Sequence, residues 1–169
     1  MKIRKAVDGD KAAVVGIMNQ AIRDAKNAYL ELFEEDSGID WFASLLEKGI
    51  VVLVASIDDV VCGWGSITHY REGRGALAKN AEITFYVHAQ YKRKGVATLL
   101  VKHLEKRAIE NRKTQAVAIL LDDNSESKSL LIKMGYTVQG VFPNIAHFPY
   151  KTCGHLYMWK ALVLNQEID

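Results

Sequence analysis

Tyr91-Lys92-Arg93-Lys94-Gly95-Val96-Ala97 places three cations and two small residues directly before an apolar repeat. That repeat, Ala97, Leu100, Val101, Leu104 and Ala108, has the three- and four-residue steps of a helix from about Gly95 to Asn111. The start of such a helix carries free backbone N–H groups and the positive end of its dipole, and Gly95 and Ala97 let an oxygen come close to the backbone. Phosphate is the natural occupant. A solvated basic turn that merely caps the helix is the rival reading of the same residues. The segment is neither a P-loop, which needs GxxxxGK[ST], nor a GxGxxG dinucleotide turn.

Outward from this point the chain reads as strand, helix, strand. Before it, Ala81 to Val87 alternates, with Ile83, Phe85 and Val87 on one side and Glu82, Thr84 and Tyr86 on the other. After it, Val117 to Leu121 is a continuous apolar run, as expected of a central strand. The unit predicts a right-handed parallel crossover. Upstream, Ile3 to Ala6 reads as a strand and Asp8-Gly9-Asp10 as the cap of a helix through Val14, Ile17, Met18, Ala21 and Ile22. A second helix is expected from near Ser37 to Asp40 up to Gly49, then two strands, Ile50 to Ala55 and Val60 to Tyr70, joined as a hairpin. Downstream, Asn124 to Met134 reads as a helix ended by Gly135, and Tyr136 to Phe142 and Leu156 to Leu162 as closing strands. Pro143 to Gly154 reads as an irregular loop. The sum is one α/β domain over residues 1–169 with a mixed sheet.

Composition narrows the function. At 169 residues, 49% hydrophobic and 25% charged, with two prolines, the chain can bury a full core and is not a disordered or fibrous sequence. A net charge of +2 supplies no global field for nucleic acid; Lys92, Arg93 and Lys94 would give at most a few phosphate contacts. Cys62 and Cys153 form neither a disulfide framework nor a CxxC pair, and the histidines show no metal-ligand spacing. No metal is expected. The charged first twenty residues hold no signal-peptide core, and no apolar run reaches the length of a membrane span. The expectation is a cytoplasmic protein with no membrane partner.

The segment from Lys92 to Ala97 resembles the pyrophosphate-binding motif [QR]-x-x-G-x-[GA] of the GNAT acetyltransferase superfamily, with Lys92 in place of the usual Gln or Arg. Asn124-Ser125-Glu126-Ser127-Lys128-Ser129-Leu130, ending in Gly135-Tyr136, resembles the family's N-x-x-S-x-x-L…G-[FY] segment beside the pantetheine arm. The resemblance sharpens toward the phosphinothricin, methionine sulfoximine and L-amino-acid N-acetyltransferases at Met18 to Ile22, at Gly63-Trp64-Gly65 through Tyr70-Arg71-Glu72, and at Ala81 to Val87. It implies a mostly antiparallel sheet flanked by helices, and acetyl-CoA as co-substrate. Val87, His88, Lys92, Arg93, Lys94, Gly95, Val96, Ala97, Asn124 and Ser127 would bind it.

The implied reaction is direct transfer of acetyl to the α-amine of a small amino-acid-like acceptor. Glu82 is the candidate general base, against a purely structural carboxylate. A main-chain N–H near Val87 or His88 would hold the oxyanion. Where many members place a Tyr or His after the Leu130 position, this chain has Leu131, which leaves water, Tyr136 or Asn124 to protonate the thiolate. Arg71 and Arg74 would grip an acceptor carboxylate, or be solvated loop charges. The Asn27 to Phe33 loop, with Tyr29, would wall the acceptor pocket, or fill the core. The last segment, Lys151 to Tyr157, fits the branch's K-x-G-x-[WY]-x-D pattern only at Lys151. The resemblance allows a homodimer. Acetylation of protein N-termini or polyamines, and a non-catalytic CoA sensor, are the alternatives.

Overall fold

The computed structural model describes residues 1–162, apart from the side chains of residues 35–37. Its strands are β1 (Lys2–Lys5), β2 (Val51–Ile57), β3 (Val60–His69), β4 (Asn80–Val87), β5 (Gln115–Leu121), β6 (Thr137–Phe148) and β7 (Lys151–Ala161). They form one sheet in the order β1-β2-β3-β4-β5-β7-β6. The helices are α1 (Lys11–Arg23), α2 (Glu35–Lys48), α3 (Val96–Glu110) and α4 (Ser125–Lys133). Every neighbouring pair of strands is antiparallel except β4 and β5, which α3 joins in parallel. The mixed, mostly antiparallel α/β sheet expected from the sequence is therefore present. No helix among the described residues is long and apolar enough to cross a membrane.

Strand register assigns the two faces. Glu82 lies beside Val117, and Val117 beside Trp159, so Glu82, Thr84, Tyr86, Ile119, Leu121, Tyr157 and His155 share one face. The opposite face carries Ala81, Ile83, Ala118, Leu156 and Met158, packed against Val96, Leu100 and Leu104 of α3 and Leu131 of α4. On the Glu82 face, α1 and α2 cover only one half: Val14, Ile17, Met18, Ile22 and Phe42 pack on Val54 and Trp64. The half over β5 and β7 stays open, which leaves Ile119 only half-buried in a strand that reads as fully apolar.

The parallel ladder is short. It pairs Asn80, Ala81 and Glu82 with Gln115, Ala116 and Val117, while β4 continues to Val87 and β5 to Leu121. Beyond Glu82 the two strands diverge. Because Tyr70 N–H bonds Asn80 O and His88 N–H bonds Cys62 O, the alternation of an antiparallel ladder turns the Phe85 and Val87 amides away from β3 and into that gap.

Two expectations are corrected. Pro143 to Gly154 is not an irregular loop: β6 and β7 run through it as a long hairpin that turns at Pro149-Tyr150. Register shifts after Val138 and after Phe142 break the two-residue period, and a proline is tolerated at position 143 because β6 is an edge strand. Asp10 occupies the N-cap of α1 without capping it by its side chain. Its buried carboxylate instead accepts two hydrogen bonds from Arg4, at 2.6 and 2.7 Å, and one from the Val7 N–H, which hold it below the usual carboxylate range and pin β1 to the start of the helix. Asp58-Asp59, both at positive φ, make the two-residue turn between β2 and β3 that the hairpin reading predicts.

Candidate active site

A cleft of about 830 Å³ occupies the gap between β4 and β5. Its outer end is the start of α3. Gly95 is the N-cap residue with φ of 81°, preceded by Arg93 at φ 63°, and this left-handed turn points the first amides of α3 outward. Among the described residues the Gly95, Val96 and Ala97 N–H groups have no acceptor, and all three residues line the cleft with Lys92 and Arg93. The cradle suits a pyrophosphate. Lys92 reaches across to Glu126 of α4 at 3.4 Å, whereas Lys94 lies 5.0 Å over the Tyr91 ring and outside the cleft. Gly95→Ala adds a Cβ at an unfavourable φ and at the point of anion approach, so it should weaken acetyl-CoA binding roughly tenfold and cost about 1 kcal/mol of stability. Calorimetric titration and thermal melts check both.

Along the cleft wall, Asn124 is buried and caps α4, its Oδ1 accepting from Ser127 N–H at 3.3 Å. Its amide nitrogen has no acceptor among the described residues and remains available to a ligand. Ser127 lines the same wall. Of the two main-chain donors expected near the acetyl carbonyl, the His88 N–H is committed to Cys62 O at 2.9 Å, and the Val87 N–H faces the gap. Leu131 is fully buried against the sheet. Tyr136 does not reach the cleft; it is 2% exposed, burial and Glu105 push its phenol far above the usual range, and it cannot give up a proton there.

The inner end is formed by the Glu82 face. Glu82 is half-buried, has no hydrogen-bond or ion-pair partner among the described residues, and burial raises its carboxyl above the ordinary 4.5. Tyr86 stands two residues beyond Thr84 on the same face, its phenol pushed up to about 12 by burial. Asn27 is buried between α1 and the lip of the cleft, where its Oδ1 accepts from Tyr29 N–H at 3.0 Å. The lip itself is anchored by Asn19, whose amide bonds both the N–H and the C=O of Phe33. From there aromatic rings run inward, Tyr29, Phe33, Trp41, Trp64 and Tyr86, each centroid 4.9 to 5.6 Å from the next. Tyr29 lines the cleft and rests against Phe33, but at 46% exposure it does not fill the core.

The fold does not bring every sequence candidate together. Arg71 and Arg74 are exposed in the β3–β4 connection and stand outside the cleft, whose lining cations among the described residues are Lys26, Lys92, Arg93 and Lys133. Asn27 and Tyr29, from the loop expected to wall the pocket, line the cleft; Gln20, Tyr86 and His155 line it too and were not read as cleft residues from the sequence. Gln20 carried a signal, since it sits one helical turn before Asp24 on the face of α1 that supplies Ile17 and Ala21; its Oε1 accepts from Ala89 N–H at 2.9 Å and ties α1 to the turn after β4. His155 carried none, because only the pairing of β7 with β5 places it there. Asp122, Asp123 and Cys153 lie within 4.8 Å of one another. Their carboxylates are taken by the Gly154 N–H at 2.8 Å and by Lys151 at 2.5 Å, so the group clasps the β6–β7 hairpin to the turn before α4.

The family model for the acetyltransferase (GNAT) family matches residues 17–136, which is more than half of the chain. The L-amino acid N-acyltransferase MnaT of Escherichia coli is 29% identical over 146 residues, covering 86% of this chain and 84% of that protein. The L-methionine sulfoximine/L-methionine sulfone acetyltransferase of Salmonella typhimurium is 28% identical, over 86% of this chain and 85% of that one. Among solved structures, a GNAT superfamily phosphinothricin acetyltransferase from Sinorhizobium meliloti in complex with acetyl-CoA superposes with a TM-score of 0.88 at 19% identity, covering 95% of this chain and 88% of that one, a likeness of fold. With the anion cradle at the start of α3, the open gap beside β4 and the match over residues 17–136, the chain belongs to the acetyltransferase (GNAT) family and is an acetyl-CoA-dependent N-acetyltransferase.

Proposed function

We propose that the chain transfers acetyl from acetyl-CoA to the α-amine of a small amino-acid-like acceptor by direct attack in a ternary complex. The observation that carries this reading is Glu82: a half-buried carboxylate without a partner among the described residues, on the face left open over β5 and β7, at the closed end of the gap. Such a group takes a proton from an ammonium directly or through one water. The Val87 N–H is the proposed oxyanion donor, and Arg93, Gly95, Val96, Ala97, Asn124 and Ser127 the proposed cofactor contacts. Lys92 helps by holding α3 to α4 through Glu126. Holding amine and thioester together contributes roughly 7 to 11 kcal/mol, so few chemical groups suffice.

The names of the relatives support an amino-acid-like acceptor. Lys26 is the proposed partner of its carboxylate, and Arg71 and Arg74 act from outside the cleft as a positive field. A second copy of the chain is proposed to pair along β6, where Val138, Val141, Phe142 and Ile145 are exposed on an edge strand. The two buried, unpaired cysteines suit a reducing cytoplasm, and no nucleic acid partner is proposed, since Lys92 and Lys94 are engaged within the chain.

The test is acetyl-CoA-dependent release of thiol across methionine sulfoximine, phosphinothricin, the protein amino acids, spermidine and short peptides. Release with an amino-acid analogue is expected; release with spermidine or peptides alone overturns the acceptor class. Lys26→Ala should raise the acceptor KM roughly tenfold, the loss of one charge-assisted pair, and Arg71→Ala with Arg74→Ala less than about threefold.

A further inference from the structure

Two protons leave the acceptor nitrogen when an ammonium is acetylated, one before attack and one as the tetrahedral intermediate collapses. One of them is returned to the departing sulfur and the other reaches water, so the ammonium and the thioester give amide, free thiol and one released proton. Glu82 can receive the first. The cleft needs a second group able to take a proton and give it up within a turnover.

Most candidates are removed by the structure. Leu131 carries no proton, and Tyr136 is outside the cleft. Tyr86, at about 12, holds its proton through the neutral range. Asp24 and Glu126 are exposed, and Glu126 is paired with Lys92. His155 remains. It lies on β7 opposite Leu121, the last residue of β5, on the same face as Glu82. Glu82 marks the closed end of the gap and His155 its open end, so the two flank the cleft from β4 and β7. The imidazole is half-buried, lines the cleft, sits edge-on to the Tyr157 ring at 5.4 Å, and has no hydrogen-bond partner among the described residues.

We propose that His155 is a catalytic residue that takes the proton released from nitrogen as the tetrahedral intermediate collapses and delivers it to the sulfur of CoA. The N–H bond breaks as an imidazole N–H forms. The C–S bond breaks with its electron pair leaving on sulfur, the imidazolium donates to that thiolate, and neutral imidazole returns. This rests on the amine-acetylation reading above.

The surroundings suit the role. Burial lowers the proton affinity of His155, which keeps it neutral and receptive near pH 7. Its imidazolium is then a stronger acid than a thiol near 8.5, so the second transfer runs downhill. The charged and titratable groups around it are Glu82 on β4, Asp24, Lys26 and Tyr29 after α1, Asp122 and Asp123 after β5, and Lys151 and Tyr157 on its own hairpin. Lys151 neutralises Asp123, and the flanking residues Leu121 and Phe142 are apolar.

His155→Gln and His155→Ala test it, with acetyl-CoA and an acceptor identified by thiol release. Both should lose about 10²-fold in kcat, the general acid–base contribution, with the Kd of acetyl-CoA within about twofold of the parent. The fall of kcat below pH 6.5 should simplify, and added imidazole should restore turnover to His155→Ala without affecting the parent enzyme. A kcat within about threefold of the parent in either variant, or a loss that imidazole leaves unrestored, overturns the proposal and leaves the acetylation reading standing. A parent enzyme that acetylates no amine overturns both.

Discussion

Glu82→Gln is expected to lower kcat by about 10²-fold or more, the contribution of a positioned general base, while calorimetry shows acetyl-CoA bound as before. The proposed cofactor contacts lie at the other end of the gap, around Gly95 and Asn124, so the two effects separate. The pH profile carries the same signature. Burial raises the Glu82 carboxyl, so its base form is lost as pH falls through a value above 4.5, and the acid limb of kcat should rise above that value in the parent and vanish in the variant. Stability should move the opposite way. A carboxyl whose proton affinity is raised in the fold favours folding fully below its unfolded pKa, and that contribution is lost as pH rises through the folded value. At pH 7 the parent therefore carries an unpaired, half-buried charge that Gln does not, and Glu82→Gln should melt higher at pH 7 than the parent but not at pH 4. A variant with unchanged kcat across pH removes Glu82 from the base role.

Trp64→Ala is expected to cost about 3 to 5 kcal/mol, because the indole is the largest fully buried side chain and joins α1 and α2 to β4. For a chain of this length that is a fall in melting temperature on the order of 10 °C. Function should suffer beyond stability. Trp64 is the inner link of the ring series that ends at Tyr29 on the cleft lip, so in the folded variant the acceptor KM should rise while that of acetyl-CoA holds. Trp64→Phe separates packing from polarity. The Trp64 Nε1 is buried with no hydrogen-bond partner, so Phe keeps most of the ring contact and removes an unsatisfied donor, and should cost less than about 2 kcal/mol. Equal losses for Ala and Phe would show that the ring series does not carry the lip.

The two experiments probe opposite ends of one arrangement. α1 and α2 cover half of a sheet face, and the uncovered half lines the cleft. Had the core been closed over β5 and β7, Glu82 would be a buried charge and His155 a buried imidazole, neither open to a ligand. Keeping that half open leaves a carboxylate with no partner among the described residues, a cost to stability that the proposed base role explains.

Signals that act within a few residues were legible in the chain. The apolar repeat from Ala97 to Ala108 reports α3, the alternation from Ala81 to Val87 reports β4, and Gly95 before the repeat reports the anion-binding turn, because each depends on backbone geometry over one or two turns. Glu82 was visible as the polar residue of an otherwise apolar strand. Long-range pairing was not visible. The β6–β7 hairpin hid behind two register shifts, and Arg71 and Arg74, plausible by residue type, fall outside the cleft because the β3–β4 connection leads away from it. Lys26 and His155 line the cleft only when α1, β5 and β7 meet, and which of the Val87 and His88 amides is free depends on the pairing with Cys62. Local chemistry thus reported most of the elements and the amide cradle at the start of α3. The inner end of the cleft was settled by which strands stand side by side, a choice made by burial across the whole sheet and written in no single stretch of residues.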